Sequence, residues 1–302
     1  MSHLTAGDIS PLFENSETTY GTPDAGNPAY YAEIKGDGGN FTPTDNPNPY
    51  IARRSNSRAF AIGEYVHQNF EAGYTDVLEK RDIDGWWSII DNAMGSNNTT
   101  GTQRLPSRTT TLRVKAGNAY DKLEYRGCKT DRLEIRADQP GGVVEFSETV
   151  LASMSTYTPA QAYTPPALPP KAAVQWVGGV TVNSTTIYPQ NFRISINNSL
   201  GRVKGWLEGI GRPGTVGLTE GQLDIELSFD LWMEDLAYIG NNTTNAVTEY
   251  YTFKMTLGLE NPIELTLYGS PMYDGQLPAL IQDKQMETVR YRIENISHNI
   301  PE

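Results

Sequence analysis

Few residue combinations in this sequence could support catalysis. The chain has one cysteine, Cys128, and three histidines, His3, His67 and His298. A catalytic thiol needs a histidine base and a group that orients it, and these residues are not spaced to suggest one. A structural zinc site needs paired cysteine or histidine ligands, which the sequence lacks. Cys128 is therefore predicted to be a small, half-buried residue, and no metal or other cofactor is expected.

Carboxylates and glycine-rich segments offer two further kinds of chemistry. The 36 Asp and Glu residues allow many carboxylate pairs of the type that cleaves glycosidic bonds, but no spacing singles out one pair. The segment 209–214, Gly-Ile-Gly-Arg-Pro-Gly, lacks the lysine and the following helix of a phosphate-binding loop. The sequence thus predicts a protein that is not an enzyme.

Charge and hydropathy restrict the partners. The net charge of −12 argues against sequence-independent binding to phosphate backbones. It is compatible with a surface past which DNA slides without being held. No segment approaches the roughly 20 apolar residues that a membrane helix needs, so no membrane partner is predicted.

Composition divides the chain into four segments. Residues 1–52 are rich in Gly, Pro, Asn and Thr without apolar periodicity, and they are predicted to form an irregular N-terminal arm. Residues 157–172 hold five prolines and are predicted to form a stiff, extended linker. The segments 53–156 and 173–302 on either side are predicted to be two β-rich modules.

The second module has the clearest strand pattern. Apolar and polar residues alternate over 223–231, as in a half-buried strand. Further strands are predicted at 192–196, 251–257, 263–268 and 289–296. A short helix is predicted at 234–239, and a long glycine-rich loop from Gly201 to Gly221.

The first module is predicted to follow the same order. Its helix covers 84–95, with Asp84 as the capping residue and Gly95 as the stop. A loop is predicted over 66–76, and the strand candidates are 58–65, 75–78, 110–115, 131–137 and 143–149. The common order predicts a mainly β fold of packed antiparallel sheets, a β-sandwich or barrel module that is duplicated, with one short helix per module.

Strand and loop segments in both modules also resemble a known family. They are Asn-Phe-Arg-Ile-Ser-Ile-Asn-Asn-Ser-Leu at 191–200, Gly-Arg-Pro-Gly at 211–214 and the strand at 221–230, together with 125–135 and 141–147. Over about residues 55–298 they resemble the tail tube proteins of long-tailed phages and related archaeal tailed viruses.

The resemblance implies a structural virion protein. Its subunits are expected to close rings with a continuous β-barrel as inner wall, and the rings to stack into a tube that conducts DNA during ejection into the host. Two modules per chain imply a homotrimer with pseudo-sixfold symmetry, with a homohexamer as the alternative. Tape-measure, terminator and baseplate proteins are the implied partners, in a virion tail assembled in the host cytoplasm.

The resemblance also suggests roles for individual residues. The polar side of the strand at 223–231 is either a solvated outer face or part of the channel lining, and its lumen-facing candidates are Asp224, Glu226 and Asp230. Candidates for ring stacking lie in the glycine-rich loop and are Gly201, Gly211, Arg212, Pro213, Gly214 and Gly221. Candidates for contact with a neighbouring subunit are Arg53, Arg54 and Arg58.

Two alternative functions remain open. One is another tail component, such as a terminator ring, and the other is a receptor-binding β-sandwich. The Asn- and Thr-rich segments at 97–100 and 241–244 suit sugar contacts and plain turns equally well. Polymerisation separates these functions, because only a tube subunit stacks without limit.

Overall fold

The structure is a computed structural model that describes most of the chain. The described ranges are 12–26, 30–34, 44–53, 60–82, 85–95, 104–116, 118–164, 167, 171–207, 212–232, 250–258, 263–271 and 286–299. Within them the chain forms antiparallel strands and one helix, which confirms the mainly β fold predicted from the sequence.

The elements follow one another in short succession. The N-terminal strands are β1 (Leu12–Ser16), β2 (Tyr30–Ile34), β3 (Thr44–Arg53), β4 (Phe60–Asp82), β5 (Arg108–Ala116), β6 (Ala119–Ala137), β7 (Glu145–Ala152), β8 (Met154–Gln161) and β9 (Lys171–Ala172). The helix α1 (Trp86–Met94) lies between β4 and β5. The remaining strands are β10 (Trp176–Val182), β11 (Thr185–Ile187), β12 (Asn191–Asn197), β13 (Gly201–Leu207), β14 (Arg212–Thr219), β15 (Asp224–Trp232), β16 (Tyr251–Leu257), β17 (Ile263–Pro271) and β18 (Met286–Asn299).

Six strands close a barrel in the first half of the chain. The hydrogen-bonded pairs run β4–β7–β6–β5–β1–β2 and return to β4, and every pair is antiparallel. Leu78 closes the circuit, because it pairs with Phe146 of β7 and with Ile34 of β2. Alternate residues of β4 and β7 are buried, as the two-residue period of a strand requires.

A second circuit contains most of the apolar core. It runs β6–β12–β15–β18–β17–β16–β10 and returns to the segment before β7 through hydrogen bonds between 141–144 and 174–176. Its largest buried side chains are Trp176, Phe192, Phe229, Phe253 and Tyr291. The two circuits share β6 and β7, so both halves of the chain contribute to one continuous sheet.

The helix α1 joins the core from one side. The buried Trp86 ring lies 4.7 Å from the Phe146 ring, measured between centroids. The helix ends at Gly95, whose left-handed backbone suits glycine and whose N–H donates to the carbonyl of Asp91 at 2.8 Å. The predicted helix is thus confirmed, although the N-cap position is held by Gly85 without a side-chain cap.

Several sequence predictions differ from the structure or lie outside it. The loop predicted over 66–76 is wrong, because β4 continues through it as one 23-residue strand. Gly73 permits this, since a Cβ there would lie 2.6 Å from the Val150 carbonyl oxygen of the paired strand. The segment 1–52 contains β1, β2 and β3, and β8 and β9 lie partly within the predicted linker. Asp84 and the predicted helix at 234–239 lie outside the described residues.

Candidate channel face and stacking hairpin

One side of the sheet β6–β12–β15–β18 is polar, and we call it the polar face. It follows from strand alternation: Ile225, Leu227 and Phe229 of β15 are buried, while the residues between them turn to the other side. Asp224, Glu226 and Asp230 all lie on this polar face, at a concave region of about 550 Å³ that Glu226 and Asp230 help to line.

The strand register places arginines in a row across the polar face. Arg136 of β6 lies opposite Arg193 of β12, which lies opposite Ser228 of β15 and then Arg290 of β18. Like charges on directly opposed residues are unfavourable, and neighbouring carboxylates offset them. Arg136 donates to Glu145 at 2.7 Å, and this hydrogen bond raises the pKa of the guanidinium.

The predicted lumen carboxylates have cationic or hydrogen-bonding partners. Glu226 lies 3.7 Å from Nε of Arg290, and Asp224 lies 3.2 Å from Nη2 of Arg292. Asp230 accepts hydrogen bonds from Asn191 Nδ2 and Thr288 Oγ1, each at 2.5 Å. The polar face is therefore a mixture of paired charges, and its three carboxylates do not form a purely acidic surface.

The loop predicted from Gly201 to Gly221 is wrong in its central part, which is the hairpin β13–β14. We call this element the hairpin. Its register shifts between Val203 and Lys204, and a Cβ on Gly205 would lie 2.7 Å from Val216, so glycine allows the strands to approach. Of the predicted stacking candidates, Gly201, Arg212, Pro213 and Gly214 lie in its strands, Gly221 follows β14, and Gly211 lies outside the described residues.

The hairpin is attached to the six-strand barrel by one arginine. Arg202 donates from Nη1 to the carbonyl of Ala152 at 2.8 Å and from Nη2 to the carbonyl of Ala72 at 2.6 Å. These carbonyls belong to the paired residues at one end of the β4–β7 ladder. The hairpin also exposes apolar side chains, with Trp206 62% and Val216 41% accessible.

A long two-stranded ribbon extends from the same barrel. It consists of β3 and the first half of β4, paired from Thr44–Glu71 to Arg53–Phe60. We call it the ribbon. Arg53, a predicted contact residue, is the last residue of β3, while Arg54 and Arg58 lie outside the described residues.

The interior of the six-strand barrel holds a charged cluster that sequence reasoning missed. Its members, which we call the interior cluster, are Glu14, Asp76, Arg81, Arg108 and Glu148, and each is at most 4% exposed. Alternation contains a signal for it. Asp76 and Glu148 interrupt the otherwise apolar inward sides of β4 and β7, which carry Tyr74, Leu78, Phe146 and Val150.

Other kinds of site were sought among the described residues. They contain no group of three or more His, Cys, Asp or Glu side chains that could hold a metal ion. No helix among them is long and apolar enough to span a bilayer. Cys128 is fully buried, and burial raises the pKa of its thiol to about 12, which opposes formation of a nucleophilic thiolate.

The fold and its surfaces define an all-β structural protein with a closed barrel, a polar sheet face, a ribbon and a projecting hairpin. Comparison with protein families identifies the particular kind. The profile described as phage tail tube protein matches residues 11–290. The chain therefore belongs to the phage tail tube protein family, as the sequence resemblance predicted. Comparison with curated proteins gave no significant match.

Proposed function

We propose that this chain is the subunit of a viral tail tube, in which rings stack around a channel that conducts DNA during ejection. Membership of the family supports a structural role in the virion tail. The observation that carries the proposal is the polar face. Its four adjacent strands have a continuous core on one side and only partly exposed polar side chains on the other, as the wall of a water-filled barrel requires.

Ring closure is assigned to open sheet edges. In the order of the described strands, β11 and β3 lie at the two ends, and such edges present unpaired backbone groups to another chain. The two circuits, one drawn mainly from each half of the chain, support the proposal of two modules per subunit. Three subunits then complete a pseudo-sixfold ring, and a homohexamer is the alternative.

Stacking is assigned to the hairpin, and lateral contact to the ribbon with Arg53, Arg54 and Arg58. The exposed Trp206 supplies the apolar surface that an anchor residue buries in an interface. Tape-measure, terminator and baseplate proteins are the further proposed partners, in a tail assembled in the host cytoplasm. No enzymatic activity is proposed.

Passage of DNA is assigned to the polar face, with Asp224, Glu226 and Asp230 towards the lumen. Since these carboxylates have arginine or hydrogen-bonding partners, the face offers phosphates neither a strong net repulsion nor a field of unpaired cations. The salt-dependent binding that unpaired cations produce is thereby limited. DNA is expected to pass without being bound specifically.

Negative-stain electron microscopy of the purified chain at rising concentration, in low and high salt, tests the proposal. Hollow rods or stacked rings with threefold or sixfold symmetry are expected. Single closed rings that never stack would instead indicate a terminator. Dispersed monomers in every condition would contradict both ring closure and the lumen role of the polar face.

A further inference from the structure

The interior cluster has an odd carboxylate. Glu14 accepts a hydrogen bond from Arg81 at 2.6 Å, and Glu148 accepts one from Arg108 at 2.9 Å. Arg108 Nε also lies 3.3 Å from Glu14. Asp76 is fully buried, yet neither of its carboxylate oxygens has a hydrogen-bond partner. Three carboxylates thus face two guanidiniums, and the unmatched one is Asp76.

The position of Asp76 makes a bare negative charge costly there. An isolated ionised carboxylate in a low-dielectric interior carries a large desolvation penalty, which is avoided when the group is neutral. The register places Asp76 directly opposite Glu148 on the inward side of the β4–β7 pair. Directly opposed side chains of one face are close neighbours, and like charges at such positions repel.

We propose that Asp76 is a buried proton-binding site, which holds one proton at neutral pH and thereby balances the charge inside the barrel. With that proton, three acidic groups and two arginines sum to zero. The O–H of the neutral carboxyl has an acceptor in the opposed Glu148. Nη1 of Arg81 and Nε of Arg108 also lack hydrogen-bond partners, so a buried water that bridges them to Asp76 would complete the network.

The surrounding groups act in the required directions. Burial, Glu148 and Glu14 raise the pKa of Asp76 well above its usual range, and only Arg108 and Arg81 oppose them. Glu14 differs, because the two arginines outweigh its burial and hold its pKa below the ordinary value. The nearby Tyr74 and Cys128 are neutral at pH 7, since burial raises the pKa of both.

The proton site makes the stability of the barrel depend on pH. Unfolded Asp76 loses its proton near pH 3.9, whereas the folded protein keeps it to higher pH. Between these limits folding takes up one proton, so stability is complete below the unfolded pKa and falls as pH rises towards the folded pKa. One proton corresponds to about a tenfold change in the unfolding equilibrium constant per pH unit.

The test compares chemical unfolding of the wild-type chain, Asp76→Asn and the control Asp138→Asn from about pH 5 to pH 9. Asparagine is a neutral isostere of the protonated carboxyl, so D76N should lose up to that tenfold dependence per pH unit. D138N removes an exposed carboxylate and should behave as the wild type. Parallel pH profiles for wild type and D76N would overturn the proposal.

A second measurement remains decisive if D76N does not fold. The infrared carbonyl stretch of a protonated carboxylic acid should be present in the folded wild-type chain at pH 7 and disappear on unfolding. Its absence from the folded protein would equally overturn the proposal. Both measurements are made on the single chain, so their outcome is independent of tube assembly.

One consequence rests on the proposed function. Arg202 attaches the hairpin to Ala72 and Ala152, at the end of the same β4–β7 ladder that carries Asp76 and Glu148. Loss of the proton should therefore loosen the hairpin. At pH 9, hydrogen exchange of residues 201–219 should be faster in the wild type than in D76N, and the difference should vanish at pH 6. Equal exchange at both pH values would contradict this link while leaving the proton site intact.

Discussion

Arg108 is the residue on which the interior cluster depends most. It lies between Glu14 and Glu148 and also donates to Thr130 at 3.0 Å. The variant Arg108→Met leaves two buried carboxylates without this partner, and removal of one member of a buried ion pair costs about 3–5 kcal/mol. Urea unfolding should show a loss of this size. The control Arg193→Met on the polar face should lose no more than about 1 kcal/mol, and an equal loss in both would contradict the assignment.

Cys128 provides a probe of the native barrel. Its side chain is fully buried and burial raises the pKa of the thiol, so access and reactivity are both suppressed. We expect a thiol reagent at pH 8 to modify it only at the rate of unfolding. Rapid modification of the native chain would show that the wall of the barrel opens locally.

At this scale the sequence predicted some placements but not others. Alternation around Asp224, Glu226 and Asp230 places them on the polar side of β15, because one strand alone determines its two sides. Their arginine partners lie on β18 and could not be predicted, since register between distant strands is set by the whole fold. The proposed lumen position of the three carboxylates stays a prediction.

The hairpin is the element whose role is most directly testable. Trp206→Ala should shorten or abolish tubes seen by electron microscopy, because it removes an exposed aromatic anchor. The free energy of unfolding should change by less than about 0.5 kcal/mol, as is usual for surface substitutions. Tyr188→Ala is the control, since Tyr188 is 66% exposed but lies outside the hairpin. Normal tubes from the Trp206 variant would contradict the stacking role.

Elements were predictable where the local pattern was unambiguous. The strand expected at 251–257 has these same bounds in β16, and the helix expected at 84–95 contains α1. The hairpin was taken for a loop, because Gly201, Gly205 and Gly214 reduce the apolar period. There the glycines serve close strand approach and a register shift, which depend on the partner strand and are not visible in the segment itself.

At the scale of the whole molecule, the shared strands join the two halves. β6 and β7 belong to both circuits, so neither circuit closes without residues 119–152. We therefore expect one cooperative unfolding transition, with Cys128 accessibility reporting on the first circuit and tryptophan fluorescence, including that of Trp176, mainly on the second. Separate transitions for the two probes would contradict this. Pairing of this kind links residues far apart in sequence, and composition alone therefore indicated two modules without revealing their common sheet.

The 23 residues of β4 lie first in the ribbon and then in the barrel wall. At about 3.3 Å per residue, this single strand has a contour length of about 75 Å. A neighbouring subunit that grips the ribbon would therefore pull along a strand that is continuous with the wall. The tension would load the hydrogen bonds between β4 and β7 in shear, all at once, instead of opening them one at a time. A tail that bends or recoils would transmit mechanical force from one subunit to the next through covalent backbone, without passing through a flexible joint.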